Sequence, residues 1–120
     1  MKSLESIEIK AFVPARDFEL SKQFYQDLGF TLASDSDGIA YFYHGSCSFL
    51  LQDFYEQQHV DHFMMHLLVN DIDSWHKAVT LGVVKKYGSL VSAPIKQPWG
   101  MLDFTLVDPS GVTWRFAENI

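Results

Sequence analysis

The chain has 120 residues, and 48% of them are hydrophobic, which fits one folded domain and excludes disorder. Nine Lys and Arg against fifteen Asp and Glu give a net charge of -6, which argues against a nucleic-acid-binding protein with a broad basic surface. No apolar run approaches the roughly 20 residues that span a membrane. Residues 1–10 lack the apolar core of a secretory signal. Cys47, the single cysteine, excludes an internal disulfide and a cysteine-rich zinc site. We therefore expect a soluble cytoplasmic protein.

The first half of the chain predicts a β-α-β-β-β order. Residues 7–13 are typical of a strand that ends at Pro14, which has no N–H to donate to a sheet. Asp17 is a suitable N-cap for a helix, and Gly29 is suited to end that helix in the left-handed conformation. Three short strands then follow at residues 30–33, 39–43 and 47–51, and turn residues separate them.

The second half repeats this order after a polar connection at residues 52–61. Residues 63–69 are strand-like, Asp71 suits an N-cap, and Gly82 suits the end of a second helix. The remaining pattern predicts a strand within 83–91, a proline-containing loop at 93–100, and strands at 101–107 and 112–116 around a tight turn at 108–111.

The two halves form a weak internal repeat, which predicts paired modules. A four-stranded module with one helix covers only one face of its sheet, so the other face must close on a second module, in this chain or a neighbouring one. Two cupped sheets that face each other enclose a cleft. An ordinary α+β sandwich with similar segments by chance is the alternative. We predict an α+β single domain over residues 1–120, with module one at about 5–52, a linker at 53–61 and module two at about 62–118.

Two motifs near opposite ends of the chain carry a family resemblance. One is Asp17-Phe18-Glu19-Leu20-Ser21 with Phe24-Tyr25 and Leu28-Gly29-Phe30, and the other is Pro98-Trp99-Gly100-Met101 with Asp103-Phe104 and Asp108-Pro109-Ser110-Gly111. Together they resemble the signatures of the glyoxalase/bleomycin resistance protein/dioxygenase (vicinal oxygen chelate) superfamily, most closely its bleomycin-resistance branch. The resemblance implies tandem β-α-β-β-β modules with cupped mixed sheets. It also implies a homodimer whose clefts form where modules of two chains meet.

The same resemblance raises the question of a metal ion. In the superfamily's enzymes, His and Glu side chains on facing strands hold a divalent ion, and those four positions fall on Lys10, Leu50, Met64 and Arg115. Lysine and arginine are charged and offer no lone pair. Leucine has no donor atom, and the thioether of methionine is too soft for Zn, Ni, Mn or Mg. We therefore expect neither a metal ion nor another cofactor.

A group of histidines and carboxylates near residues 53–66 offers no better metal site. His62 and His66 are four residues apart, but this spacing in a strand separates them by about 13 Å. We interpret the segment as a polar linker with one histidine in the cleft. His66 lies two residues beyond Met64 and is expected on the cleft face. A hydrogen-bonded core histidine is an equally acceptable interpretation.

We expect the cleft to have aromatic walls and a few polar groups that orient a ligand. Trp99 stands out, because a large ring in a Pro-Trp-Gly loop is favourable only against a ligand or a partner chain. Lys10 and Arg115 can point into the cleft, where a carboxylate such as Asp103 or ligand oxygens would compensate their charge. Alternatively, both side chains extend to the rim of the cleft. The predicted ligand-binding residues are Lys10, Phe12, Tyr41, Phe49, Met64, His66, Trp99, Asp103 and Arg115.

Three functions stay open at this point. The first is a metal-free homodimer that sequesters a drug or metabolite, as bleomycin-resistance proteins do. The second is a glyoxalase-like lyase, isomerase or dioxygenase with a divalent metal at a relocated site. The third is a non-catalytic partner or regulator. We expect neither a nucleic acid nor a membrane as a partner.

Overall fold

The computed structural model describes residues 3–120 and contains two four-stranded mixed sheets. The first sheet has the order β1-β4-β3-β2, with β1 parallel to β4 and the other pairs antiparallel. Helix α1 connects β1 to β2. The elements of this module are β1 (Phe12–Ala15), α1 (Phe18–Leu28), β2 (Thr31–Ser36), β3 (Ile39–His44) and β4 (Cys47–Asp53).

The second sheet has the equivalent order β5-β8-β7-β6, with β5 parallel to β8. A short helix, α2, joins the modules, and α3 connects β5 to β6. The elements are α2 (Gln57–Asp61), β5 (Met64–Leu68), α3 (Ile72–Val79), β6 (Ile95–Lys96), β7 (Met101–Val107) and β8 (Thr113–Asn119). The predicted α+β fold of two β-α-β-β-β modules is therefore confirmed. Within residues 3–120, each helix is too short or too polar to cross a bilayer.

The predicted helix starts are confirmed by their capping bonds. The Asp17 side chain accepts a hydrogen bond from the Leu20 N–H at 3.1 Å, and the Asp71 side chain accepts one from the Ser74 N–H at 3.1 Å. Both bonds satisfy a donor that the first helical turn leaves unpaired. Helix α1 ends at Gly29, as predicted, with a φ of 117° that few other residues adopt.

The first strand begins later than predicted. Residues 3–11 have no regular secondary structure, and the strand runs from Phe12 to Ala15, through Pro14. Proline is tolerated there because β1 is an edge strand. Ile7 and Ile9 are 97% and 95% exposed, so their apolar side chains gain nothing from a sheet in this chain.

The prediction that Gly82 ends the second helix, with a strand following at 83–91, is wrong. Helix α3 continues through a π-helical segment, Thr80–Val84, and a last turn, Lys85–Tyr87, and ends at Gly88 with a φ of 69°. Val79 and Val83 are both buried, so the apolar stripe of the helix extends past Gly82. The wider π-helical turn keeps this stripe facing the core. Part of the predicted loop at 93–100 forms the two-residue strand β6.

A buried tyrosine joins the two modules. The Tyr25 ring of α1 lies 4.9 Å from the Phe49 ring of the first sheet and 5.5 Å from the Trp114 ring of the second, measured between centroids. The Tyr25 hydroxyl donates to the Asp108 carboxylate and accepts from Trp114 Nε1 at 2.8 Å. Burial raises the pKa of Tyr25 well above 10.0, and burial also raises the pKa of Asp108. Both modules therefore share one core.

We predict that Tyr25→Phe lowers the free energy of unfolding by about 1–3 kcal/mol, because Trp114 Nε1 and Asp108 each lose a buried partner. Urea unfolding followed by circular dichroism measures the change. Tyr43→Phe, at an exposed tyrosine, is the matched control and should be neutral. Equal stability of the Tyr25→Phe variant and the wild type would contradict the proposed role of this hydroxyl.

We predict opposite effects of alanine at Gly82 and Gly88. A Cβ at Gly82 would have no heavy atom within 4 Å, and the position lies inside the continuous helix. Alanine there should stabilise the protein by about 0.5–1 kcal/mol. Gly88 has a positive φ, so alanine there should destabilise it. Thermal unfolding of both variants tests this, and a loss of stability on Gly82→Ala would contradict the continuous helix.

Candidate functional site

Each sheet has one face that its helix covers and one that is more exposed. Helix α1 packs on the face of the first sheet that carries Phe42 and Phe49. Residue alternation and the register place the opposite side chains together on what we call the first open face. The first open face carries Phe12, Tyr41, Tyr43, Ser48 and Leu50.

The second sheet is arranged in the same way. Helix α3 packs against Phe104 and Phe116 through His76 and Trp75. The other face, which we call the second open face, carries Met64, His66, Leu68, Asp103, Thr105 and Arg115. His66 and Thr105 flank Arg115 on the neighbouring strands.

Arg115 is paired with a buried carboxylate. Its Nη1 donates to Asp103 Oδ2 at 2.9 Å, and Asp103 is only 2% exposed. Gln97 Nε2 donates to the other carboxylate oxygen at 3.0 Å. A carboxylate buried in this way needs such partners, because burial without them is costly. The charge of Arg115 is therefore compensated by a carboxylate of the same chain.

Lys10 is also paired, with a residue that the sequence analysis did not select. Lys10 Nζ lies 2.9 Å from Glu8 Oε1 and 5.2 Å from the centroid of the Tyr41 ring. Glu8 also accepts hydrogen bonds from the Tyr41 hydroxyl, at 3.0 Å to Oε1, and from the Ser48 hydroxyl. These bonds, with that from Ser48 the largest contributor, lower the pKa of Glu8 to about 2. No periodicity in the sequence points to this placement, because Glu8 and Lys10 precede β1 and have no regular secondary structure.

The expectation that Phe49 lines the cleft is corrected by the structure. Phe49 is 1% exposed and stacks on Phe42 with ring centroids 5.4 Å apart, on the face that α1 covers. Its neighbour Leu50 is the residue on the first open face. Trp99 is 63% exposed in the turn between β6 and β7, which the Gln97 N–H closes by donating to the Met101 carbonyl at 2.7 Å.

The predicted residues form two separate groups within one chain. Lys10, Phe12 and Tyr41 share the first open face, whereas Met64, His66, Asp103 and Arg115 share the second. A cavity of about 330 Å³ on the first open face is lined by residues of module one: Glu8, Ala33, Tyr41, Tyr43, Gly45, Ser46, Cys47 and Ser48. This cavity is within the size range of small-molecule sites.

The residues at the four positions that the resemblance assigns to an ion do not fit a divalent cation. Leu50 supplies no donor atom and Met64 only a thioether, while Lys10 and Arg115 are cations already paired with carboxylates. Across residues 3–120, no three His, Cys, Asp or Glu side chains are grouped so that they could hold an ion. His62 Nδ1 instead lies 2.9 Å from the Gln58 carbonyl oxygen.

Comparisons with known proteins agree with this architecture. A model of the family described as Glyoxalase/Bleomycin resistance protein/Dioxygenase superfamily matches residues 8–116. A bleomycin resistance determinant encoded on transposon Tn5 is 23% identical, with a TM-score of 0.79 over 95% of this chain and 98% of its own. A bleomycin-binding protein from Streptomyces verticillus, solved with copper(II)-bleomycin, is 17% identical, with a TM-score of 0.80 over 98% of this chain and 100% of its own.

An enzyme of known structure shares the fold as well. Lactoylglutathione lyase from Agrobacterium tumefaciens is 17% identical, with a TM-score of 0.72 over 97% of this chain and 96% of its own. No curated protein sequence matches the chain significantly. At such low identities the structural similarities show a common fold, which binding proteins and enzymes both use.

We predict that Ser48→Ala raises the pKa of Glu8 from about 2 toward 4.5, because the Ser48 hydroxyl contributes most to the lowering. A lowered native pKa means that docking of the Glu8 carboxylate stabilises the protein above pH 4.5, and that this contribution is lost as the pH falls through about 2. Carboxyl-detected NMR titration measures the pKa of Glu8, and urea unfolding at several pH values measures the contribution to stability. Ser46→Ala in the adjacent turn is the control, and an unchanged Glu8 pKa in Ser48→Ala would contradict the assigned bond.

Proposed function

Because the chain belongs to the glyoxalase/bleomycin resistance protein/dioxygenase superfamily, we propose that it binds a small organic molecule without a metal ion, and sequesters it. The ligand is a drug or metabolite, and the protein acts in the cytoplasm. The observation that carries this proposal is the chemistry of the two open faces. At the positions where related enzymes hold an ion, this chain has an aliphatic side chain, a thioether and two paired cations.

The open faces have the surface that a flat, partly apolar ligand needs. Phe12 and Met64 are 50% and 53% exposed, and the Tyr41 and Tyr43 rings lie 6.4 Å apart on the first open face. Burying such surface favours binding, and a few polar groups then orient the ligand. His66, Ser48 and the paired Arg115 supply those groups.

A homodimer completes the binding cleft in this proposal. The first and second open faces both expose large apolar side chains, among them Phe12 on one and Leu68 on the other. Exposed apolar surface of this kind is typical of interfaces and ligand clefts. The first open face of one chain and the second open face of its partner enclose the ligand, with Trp99 beside the interface.

We predict that binding is independent of metal. Titration calorimetry against a panel of aromatic metabolites and antibiotics should give the same dissociation constant with EDTA and with added zinc or nickel. Phe12→Ala should weaken binding about tenfold, because a stacking wall is lost. The control Leu81→Ala removes a similarly exposed apolar side chain from the helical layer and should have no effect.

Two results would contradict this proposal. One is binding that requires a divalent ion, and the other is stoichiometric Ni, Zn, Mn or Fe in protein purified without chelator. Either would favour the alternative of a glyoxalase-like lyase, isomerase or dioxygenase with its metal at a non-standard site.

A further inference from the structure

The Glu8 carboxylate occupies a set of donors that is complete for a carboxylate ligand. Lys10 Nζ lies 2.9 Å from Oε1, the Tyr41 hydroxyl lies 3.0 Å from Oε1 and 3.2 Å from Oε2, and the Ser48 hydroxyl bonds Oε2. One cation and two hydroxyls thus converge on two carboxylate oxygens. Hydrogen bonds to an ionised group of this kind are stronger than neutral ones.

The segment that carries Glu8 has few other contacts with the sheet. The flanking residues Ile7 and Ile9 are 97% and 95% exposed, and residues 3–11 have no regular secondary structure. Leu50 N–H donates to the Ala11 carbonyl at 3.0 Å, which anchors the chain just before β1. Glu8 is therefore held by its carboxylate. Release of residues 3–9 would expose no buried apolar side chain of their own, and Lys10 would stay in place beside the anchored Ala11.

We propose that Lys10, Tyr41 and Ser48 form a carboxylate-binding site, which Glu8 fills as an internal stand-in until an aromatic carboxylate ligand displaces it. This inference rests on the proposed function and specifies the class of its ligand. The exchange replaces one carboxylate by another, so the charge of Lys10 stays compensated throughout. The cavity of about 330 Å³ beside Glu8, with Tyr41 and Tyr43 in its wall, accommodates the ring of the ligand.

Because Glu8 is covalently attached next to the site, it competes strongly with a free carboxylate ligand. A group on a short flexible segment has an effective concentration in the millimolar range, so a free carboxylate must exceed that value or add contacts of its own. The aromatic walls supply those contacts. Removing the Glu8 side chain should therefore raise the affinity for a simple aromatic carboxylate.

Benzoate is the probe that tests this site. In an NMR titration that follows the Ser48 and Leu50 amides, Glu8→Ala should bind benzoate about tenfold or more tightly than the wild type. Glu5→Ala, which removes a glutamate from the same segment outside the site, should behave as the wild type. Benzamide, the uncharged analogue, should bind Glu8→Ala about tenfold or more weakly than benzoate does, because it cannot pair with Lys10.

Three outcomes would overturn the inference: no gain of affinity in Glu8→Ala, an equal gain in Glu5→Ala, or a gain that persists when Tyr41→Phe, Ser48→Ala or Lys10→Met is added. Each variant is checked for its native circular dichroism and unfolding midpoint, so that loss of binding reports the site. Benzoate binding to Glu8→Ala supports the inference even if the wild type binds nothing in the metabolite panel. If the wild type binds a ligand without a carboxylate and Glu8→Ala does not bind benzoate, the inference is wrong and the proposed function still holds.

Discussion

The alternation of side chains across two sheets, each covered by one helix, determines which side chains are available to the ligand that we propose. Helices α1 and α3 cover one face of each sheet, and the shared core around Tyr25 and Trp114 fixes which face that is. Every second strand residue must then lie on an open face. Phe49 and Leu50 show the consequence, since neighbours in β4 belong to the core and to the open face, respectively.

The open faces also differ from an ion-binding cleft in their charge balance. Each carries one cation with a carboxylate of the same chain beside it, Lys10 with Glu8 and Arg115 with Asp103. The two pairs are not equivalent, because Asp103 is buried and Glu8 lies on an exposed segment. Asp103 is thus a fixed part of the second sheet, where Gln97 links it to the turn that carries Trp99. Glu8 is the replaceable member.

Local signals in the sequence predicted much of the fold, and long-range packing accounts for the rest. Asp17, Gly29 and Asp71 act through bonds or φ angles within a few residues, so their roles could be read from the sequence. The prediction that the helix ends at Gly82 is wrong because burial of Val79 and Val83 favours a continuous helix more than the low helix propensity of glycine disfavours it. In the candidate site, the sequence left open whether Arg115 pairs with Asp103, pairs with a ligand or extends to the rim of the cleft, and the structure shows the bond to Asp103. The role of Glu8 depends on Ser48, which is distant in sequence, and no local pattern contains that contact.

Methyl NMR with a paramagnetic ion distinguishes the proposed binding of organic molecules on the open faces from the binding of a metal ion. Co²⁺ is titrated into protein with labelled Met and Leu methyl groups, and the signals of Met64 and Leu50 are followed on the two open faces. We expect no saturable paramagnetic shift of either methyl at stoichiometric Co²⁺, and saturable diamagnetic shifts when an organic ligand is added. A saturable paramagnetic shift of both methyls at one equivalent of Co²⁺ would contradict this expectation.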